Sequence, residues 1–185
     1  MQELAHLRIA ILAIDGVEEC ELTEPKKAME GASAQVDVIS RRHGEIQGYR
    51  HREPAGKIRV DRTLDEARAD DYDAVLLPGG IWNSAWARGE PRVQQFLREM
   101  NGAGKPIAAI AQATWELISA GLLRGRKVTG CPTTKDDICN AGGEWLDREV
   151  VVDGNLITSR GPLDIPAFNR EFRVILAHHA ETVGR

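Results

Sequence analysis

The sequence predicts an α/β protein with a mainly parallel central sheet and helices on both faces. Apolar runs rich in β-branched residues recur at Leu7 to Ile14, Ala34 to Ser40, Ala74 to Leu77 and Pro106 to Ile110, as expected of strands buried on both sides. Amphipathic stretches separate them, the alternation that lays crossover helices against a parallel sheet. The chain has 185 residues, 42% of them hydrophobic, which suits one compact core and excludes a disordered tail or a fibrous repeat.

In chain order, Glu18 to Gly31 reads as a helix in which Pro25 should force a kink or a second start. Ile46 to Tyr49 and Ile58 to Val60 are short and polar-flanked, and Asp153-Gly154-Asn155 separates Glu149 to Val152 from Leu156 to Ser159. Both pairs read as added hairpins. Thr63 to Glu66 and Thr133 to Asp136 have the spacing of a capping box at a helix start. Pro91 to Met100 forms another helix, and Asp164 with Pro166 opens a last one through Phe172 and Leu176. His178 to Arg185 is expected to fray. With no internal repeat or Pro/Ser-rich linker, the reading is a single domain over 1–185.

Composition excludes several functions. Lys and Arg total 24 against 28 Asp and Glu, a formal charge of −4, so no general attraction to a phosphate backbone exists and no nucleic-acid partner is expected. The Arg41-Arg42-His43 cluster is too short for such a patch and reads as a solvated turn. Cys20, Cys131 and Cys139 are an odd set without metal or disulfide spacing, which favours a reducing interior and predicts no metal and no cofactor. Met1 to His6 lacks a signal-peptide pattern, and every apolar run stops well short of the ~20 residues of a bilayer span. The expectation is a soluble, cytoplasmic protein with no membrane partner.

In an open parallel sheet the ligand crevice lies beyond the carboxyl ends of the strands, and three junctions qualify. At Asp15-Gly16-Val17-Glu18-Glu19-Cys20-Glu21, acids cluster in a helix's first turns, where the dipole favours them. Glu18 and Glu19 read as a solvated helix start, whereas Glu21 is placed to point into the crevice. At Leu77-Pro78-Gly79-Gly80, paired glycines let backbone amides approach a ligand oxygen. At Ala109-Ile110-Ala111-Gln112-Ala113-Thr114-Trp115 a buried strand meets a helix in the sharp turn that elsewhere presents a nucleophile. Here the tip carries Ala111, whose methyl group cannot attack a carbonyl.

Those three segments, together with Gly104-Lys105-Pro106-Ile107, Ala120-Gly121-Leu122-Leu123-Arg124-Gly125-Arg126, Lys135-Asp136-Asp137, Asn140-Ala141-Gly142, the run Glu149 to Arg160 and Asp164-Ile165-Pro166-Ala167-Phe168, resemble the ThiJ/PfpI superfamily over nearly the whole chain. The likeness is to its PfpI-type intracellular protease branch, itself similar to the parkinsonism-associated deglycases and to the class I glutamine amidotransferase fold. The resemblance implies a flavodoxin-like three-layer sandwich, a homodimer or larger homo-oligomer, and an elbow Cys followed by His that carries protease, glyoxalase or deglycase chemistry. Where the family reads Ala-Ile-Cys-His-Gly-Pro-Trp, this chain has Ala111 at the nucleophile position and Gln112 at the His. The family acid after the double glycine, which supports that His from a neighbouring subunit, is matched here by Asn83-Ser84-Ala85, so Ala85 stands at the acid position. Glu21 matches the family glutamate that sits against the nucleophile. Cys131 matches a position where relatives carry Tyr or His facing the same pocket.

Thiolate, imidazole and supporting acid are thus absent together. The expectation is a protein silent for thiol-based protease or deglycase chemistry. It would bind a small carbonyl or carboxylate ligand through Glu21, Gly79, Gly80, Ala111, Gln112 and Cys131, or act in a stress or chaperone-like role. The alternative is a hydrolase or glyoxalase/deglycase-like enzyme in which Glu21 is the acid/base and water or Cys131 attacks. Cys20 and Cys139 read as core. His51 is the best-placed His for a pocket, although a surface position suits it better. Trp82 and Trp86, one helical turn apart, read as an intersubunit contact.

Overall fold

A computed structural model describes residues 4–183. Its strands are β1 (Arg8–Leu12), β2 (Val17–Glu18), β3 (Gln35–Ser40), β4 (Gly44–Arg50), β5 (Glu53–Val60), β6 (Arg62–Thr63), β7 (Ala74–Leu77), β8 (Ile107–Ile110), β9 (Lys127–Val128), β10 (Glu144–Trp145), β11 (Val150–Asp153) and β12 (Leu156–Ser159). The helices are α1 (Glu19–Gly31), α2 (Ile81–Ala87), α3 (Pro91–Gly102), α4 (Thr114–Ser119), α5 (Lys135–Asn140) and α6 (Ile165–Val183).

The four apolar runs of the sequence become β1, β3, β7 and β8. They lie within a seven-stranded sheet of order β11-β12-β8-β7-β1-β3-β6. Every pairing in it is parallel except β11 with β12. Side chains of a strand alternate between faces, and β1 shows what that does here. Ile9 and Ile11 join Leu22 and Met29 of α1 and Phe168, Phe172 and Leu176 of α6 in one core. Ala10 and Leu12 join Val93, Phe96, Leu97 and Met100 of α3 and Leu117 of α4 in the other. Two cores on opposite faces of one sheet make the three layers of a flavodoxin-like sandwich.

Several local expectations are corrected. Helix α1 runs continuously from Glu19 to Gly31 through Pro25, with no second start. The Thr63/Glu66 spacing closes one turn only: the Thr63 amide donates to the Glu66 carboxylate at 2.8 Å and the Ala67 amide to the Thr63 carbonyl, and no α-helix follows. Helix α5 starts after Thr134 without a side-chain cap, because the Thr133 hydroxyl is instead 3.1 Å from the Cys131 thiol. The β11–β12 pair is not an appendage, since β12 pairs with β8 inside the main sheet. Only β4 and β5 form an added antiparallel hairpin, which joins β2 in a separate small sheet. Helix α6 carries the chain through the segment expected to fray as far as Val183, and Gly184 and Arg185 lie outside the described residues. Among the described residues no helix is long and apolar enough to cross a membrane.

Candidate active site

The site is built where β1, β7 and β8 end. After Ile110 the chain turns through Ala111 at φ +54° into a 3-10 turn, and α4 begins only at Thr114. A non-glycine residue in the left-handed region carries a steric cost of about 1–2 kcal/mol. The sharp turn that presents a reactive side chain is therefore kept, with a methyl group at its tip.

Glu21 stands beside this turn from the first turns of α1. It is 1% exposed, and one carboxylate oxygen accepts the Gly79 amide at 2.7 Å. Burial pushes its pKa up to about 8; the Gly79 bond opposes that and the nearby Glu18 charge adds to it. Near neutral pH the group is thus mainly a carboxylic acid, able to donate a proton. Gly79 is required here, because a Cβ on it would lie 2.5 Å from that oxygen and 2.9 Å from the Ile110 carbonyl oxygen. Gly80 adopts φ +99°, and a Cβ on it would strike the Gly16 carbonyl.

The pair of glycine amides does not form the open anion cradle expected from the sequence. The Gly79 amide is taken by Glu21, and the Gly80 amide donates to the Gln112 side-chain oxygen at 3.4 Å. That bond leaves the Gln112 amide nitrogen as a donor with no partner among the described residues. Ala85, at the family acid position, is exposed on α2.

A cavity of about 880 Å³ opens over the turn, with Glu21, Gly80, Ala111, Gln112 and Cys131 among its lining residues. Five of the six sequence-nominated ligand residues therefore meet in one space, and Gly79 lies directly behind Glu21. The mouth adds residues that sequence reasoning did not nominate: Tyr49, Arg52, Trp82 and Arg160, along with His51, expected at the surface. His51 is in fact both exposed and part of the cavity wall. Trp82, 78% exposed, also stands at the mouth, whereas Trp86 packs against the α3/α4 core under Arg41.

Glu18 and Glu19 are not a solvated helix start. Glu18 is buried and accepts the His51 amide at 3.0 and 3.3 Å, while Glu19 accepts the Gly56 amide at 3.1 Å. Consecutive carboxylates thus pin the β4–β5 hairpin to the head of α1, beside the cavity. Cys20 is only partly buried, its thiol raised to about 11 by burial and by Glu21, Glu18 and Glu24. Cys139 is exposed rather than core, because the buried face of α5 is supplied by Ile138.

Two further polar residues escaped the sequence reading. Asn83 is fully buried; it accepts the Ile14 amide at 2.9 Å and donates to the carbonyls of Pro78 and Gly79, tying the first and second junctions together. Glu116 is wholly buried in α4 with neither carboxylate oxygen at hydrogen-bond distance of a partner. Burial holds its pKa well above the ordinary carboxylate range. Position 83 carried a weak sequence signal, a polar residue three positions after the double glycine. Glu116 carried none, since the register of so short a helix is not visible beforehand.

This combination of sheet, strained strand-to-helix turn and glutamate-backed crevice defines a class, and comparison with known proteins identifies it. Residues 7–173 match the DJ-1/PfpI family, and the chain belongs to that family. It is 41% identical over 170 residues to a deglycase of Thermococcus kodakarensis, covering 92% of this chain and 99% of that one. It is 39% identical over 165 residues to protein/nucleic acid deglycase 2 of Escherichia coli, covering 89% and 94%. The crystal structure of Drosophila melanogaster DJ-1beta superposes with a TM-score of 0.85 at 29% identity, covering 96% of this chain and 97% of that one.

These relatives overturn the expectation of a catalytically silent protein. Chains about 40% identical over nine-tenths of the sequence are named deglycases, which supports the enzymatic alternative. The physical reason lies in what remains: removing a thiol abolishes covalent chemistry at residue 111, but leaves the buried acid, the strained turn and the cavity in place.

Proposed function

We propose that this chain is a deglycase-type enzyme that hydrolyses small carbonyl adducts of amines or thiols, with Glu21 as acid/base and water as the attacking group. The observation that carries this reading is Glu21 itself, a buried carboxyl group raised to about 8, facing an 880 Å³ cavity beside Ala111. As the bond from the adduct's carbon to its nitrogen or sulfur breaks, the Glu21 proton passes to that leaving atom. The carboxylate so formed takes a proton from the water that bonds to the carbon, giving free amine or thiol and a hydrated carbonyl compound. The Gln112 amide nitrogen is available to bond the adduct's oxygen. A stress setting in which carbonyl damage is repaired, a cytoplasmic location and a homodimer or larger assembly belong to the same reading. The exposed Ile81 and Trp82 supply apolar surface for a second copy, which sedimentation equilibrium tests.

A second attacking group has one observation in its favour, the Cys131 thiol in the same cavity. The decisive experiment follows loss of the methylglyoxal adduct of N-acetylcysteine, above the uncatalysed rate, in wild type, Glu21→Gln and Cys131→Ser. The water mechanism expects Glu21→Gln to lower kcat by about 10²-fold or more and Cys131→Ser to retain it. Loss of activity in Cys131→Ser transfers the attack to sulfur. An unaltered rate in Glu21→Gln, or no rate in wild type, overturns the assignment.

A further inference from the structure

The turn between β4 and β5 carries a feature that acid/base chemistry at Glu21 does not require. His51 sits at φ +59°, a conformation glycine adopts freely and other residues only at a cost. The turn is held there by Glu18, whose buried carboxylate grips the His51 amide through both oxygens. Strain retained under such a clamp is a pointer to function when the strained residue faces a ligand space, and His51 and Arg52 both line the cavity mouth.

The charges around that mouth are unevenly committed. Asp15 accepts the Gln47 amide at 2.8 Å and Glu18 the His51 amide. Arg160 bonds Asp164 and Asp147 at 2.8 to 2.9 Å. Among the described residues the side chains of His51 and Arg52 have no hydrogen-bond or ion-pair partner. The mouth therefore keeps an uncommitted guanidinium and imidazole on one clamped turn, in the same cavity that Glu21 lines.

We propose that the β4–β5 turn is a specificity element, in which Arg52 and His51 bind an anionic oxygen group, carboxylate or phosphate, on the substrate's leaving portion. The proposal rests on the deglycase-type reading of the same cavity. Its test compares matched methylglyoxal adducts differing by one anionic group: N-acetylcysteine against its methyl ester, and guanosine monophosphate against guanosine. Wild type should favour the charged member in kcat/KM by about fivefold or more, the worth of one exposed charge pair. The first pair reports carboxylate recognition and the second phosphate.

Arg52→Gln and His51→Gly should bring that ratio towards one, and His51→Gly keeps the turn because glycine suits its backbone. Equal kcat/KM for charged and neutral members in wild type overturns the proposal while leaving the enzymatic reading intact. A readout without turnover separates the converse failure: quenching of Trp82 fluorescence on titration with inorganic phosphate and with N-acetylcysteine. Quenching in wild type that weakens in Arg52→Gln supports the anion site even if no adduct is hydrolysed. Absence of quenching by both overturns it.

Discussion

At the scale of single residues, Ala111 and Glu21 divide what a thiol-bearing site would combine. The turn at Ala111 still holds φ +54°, so a thiol placed there would be presented into the cavity. The double variant Ala111→Cys, Gln112→His should gain a cysteine that iodoacetamide labels roughly tenfold faster than Cys20, Cys131 or Cys139, since reactivity follows thiolate character and access. Peptide mapping of the alkylated protein checks this, and equal labelling of all four thiols would show that the turn alone does not activate sulfur. Activity that depends on protonated Glu21 should fall as pH rises through about 8, the value to which burial lifts it. A rate still rising above pH 9 would contradict that dependence.

Much of this was legible in the sequence. Glu21, Ala111 and Gln112 were placed by the three strand ends and the family resemblance alone. The engagement of the Gly79 and Gly80 amides was not, because a Gly-Gly pair shows that backbone can come close without showing to what. What the missing thiol means was misjudged for a related reason: motif logic weighs the nucleophile heavily and a buried carboxyl lightly.

At the scale of elements, the hairpin is the part that sequence reasoning located but could not orient. Its strands were recognised from their polar flanks, yet its attachment depends on two carboxylates that looked like ordinary helix-start acids. Glu18→Ala removes the carboxylate partner of the His51 amide and should cost about 1 kcal/mol, the usual net worth of one hydrogen bond. Denaturant unfolding measures it, and the KM for charged adducts should rise in the same variant. The opposite misreading concerned β12, which looked like half of an added hairpin because Asp-Gly-Asn is a strong turn signal. The Gly154 turn is real, with φ +58°, but local signals say nothing about the other edge of a strand, which here pairs with β8.

At the scale of the molecule, two buried acids contribute stability that is lost as pH rises. The unfolded chain ionises Glu21 near 4.5, whereas the folded chain keeps its proton up to about 8. Between those values the native state carries the extra proton at this site, so the stability Glu21 contributes declines as pH rises. Glu116, raised by full burial, acts in the same direction. Thermal melts from pH 5 to pH 8 should show a smaller decline for Glu21→Gln than for wild type, by about 2–4 kcal/mol over the interval. Glu116→Gln should also flatten the curve. Parallel curves for wild type and both variants would refute the assignment of the slope to these groups.

The strand order has a consequence for the timing of synthesis. The segment leading into Ala111 is complete by residue 110, but one flank of its strand stays bare until residues 156–159 have been made. A ribosome must therefore release nearly fifty more residues before the crevice wall is sealed. Nascent chains stalled before Leu156 should carry an open strand edge that holdase chaperones recognise.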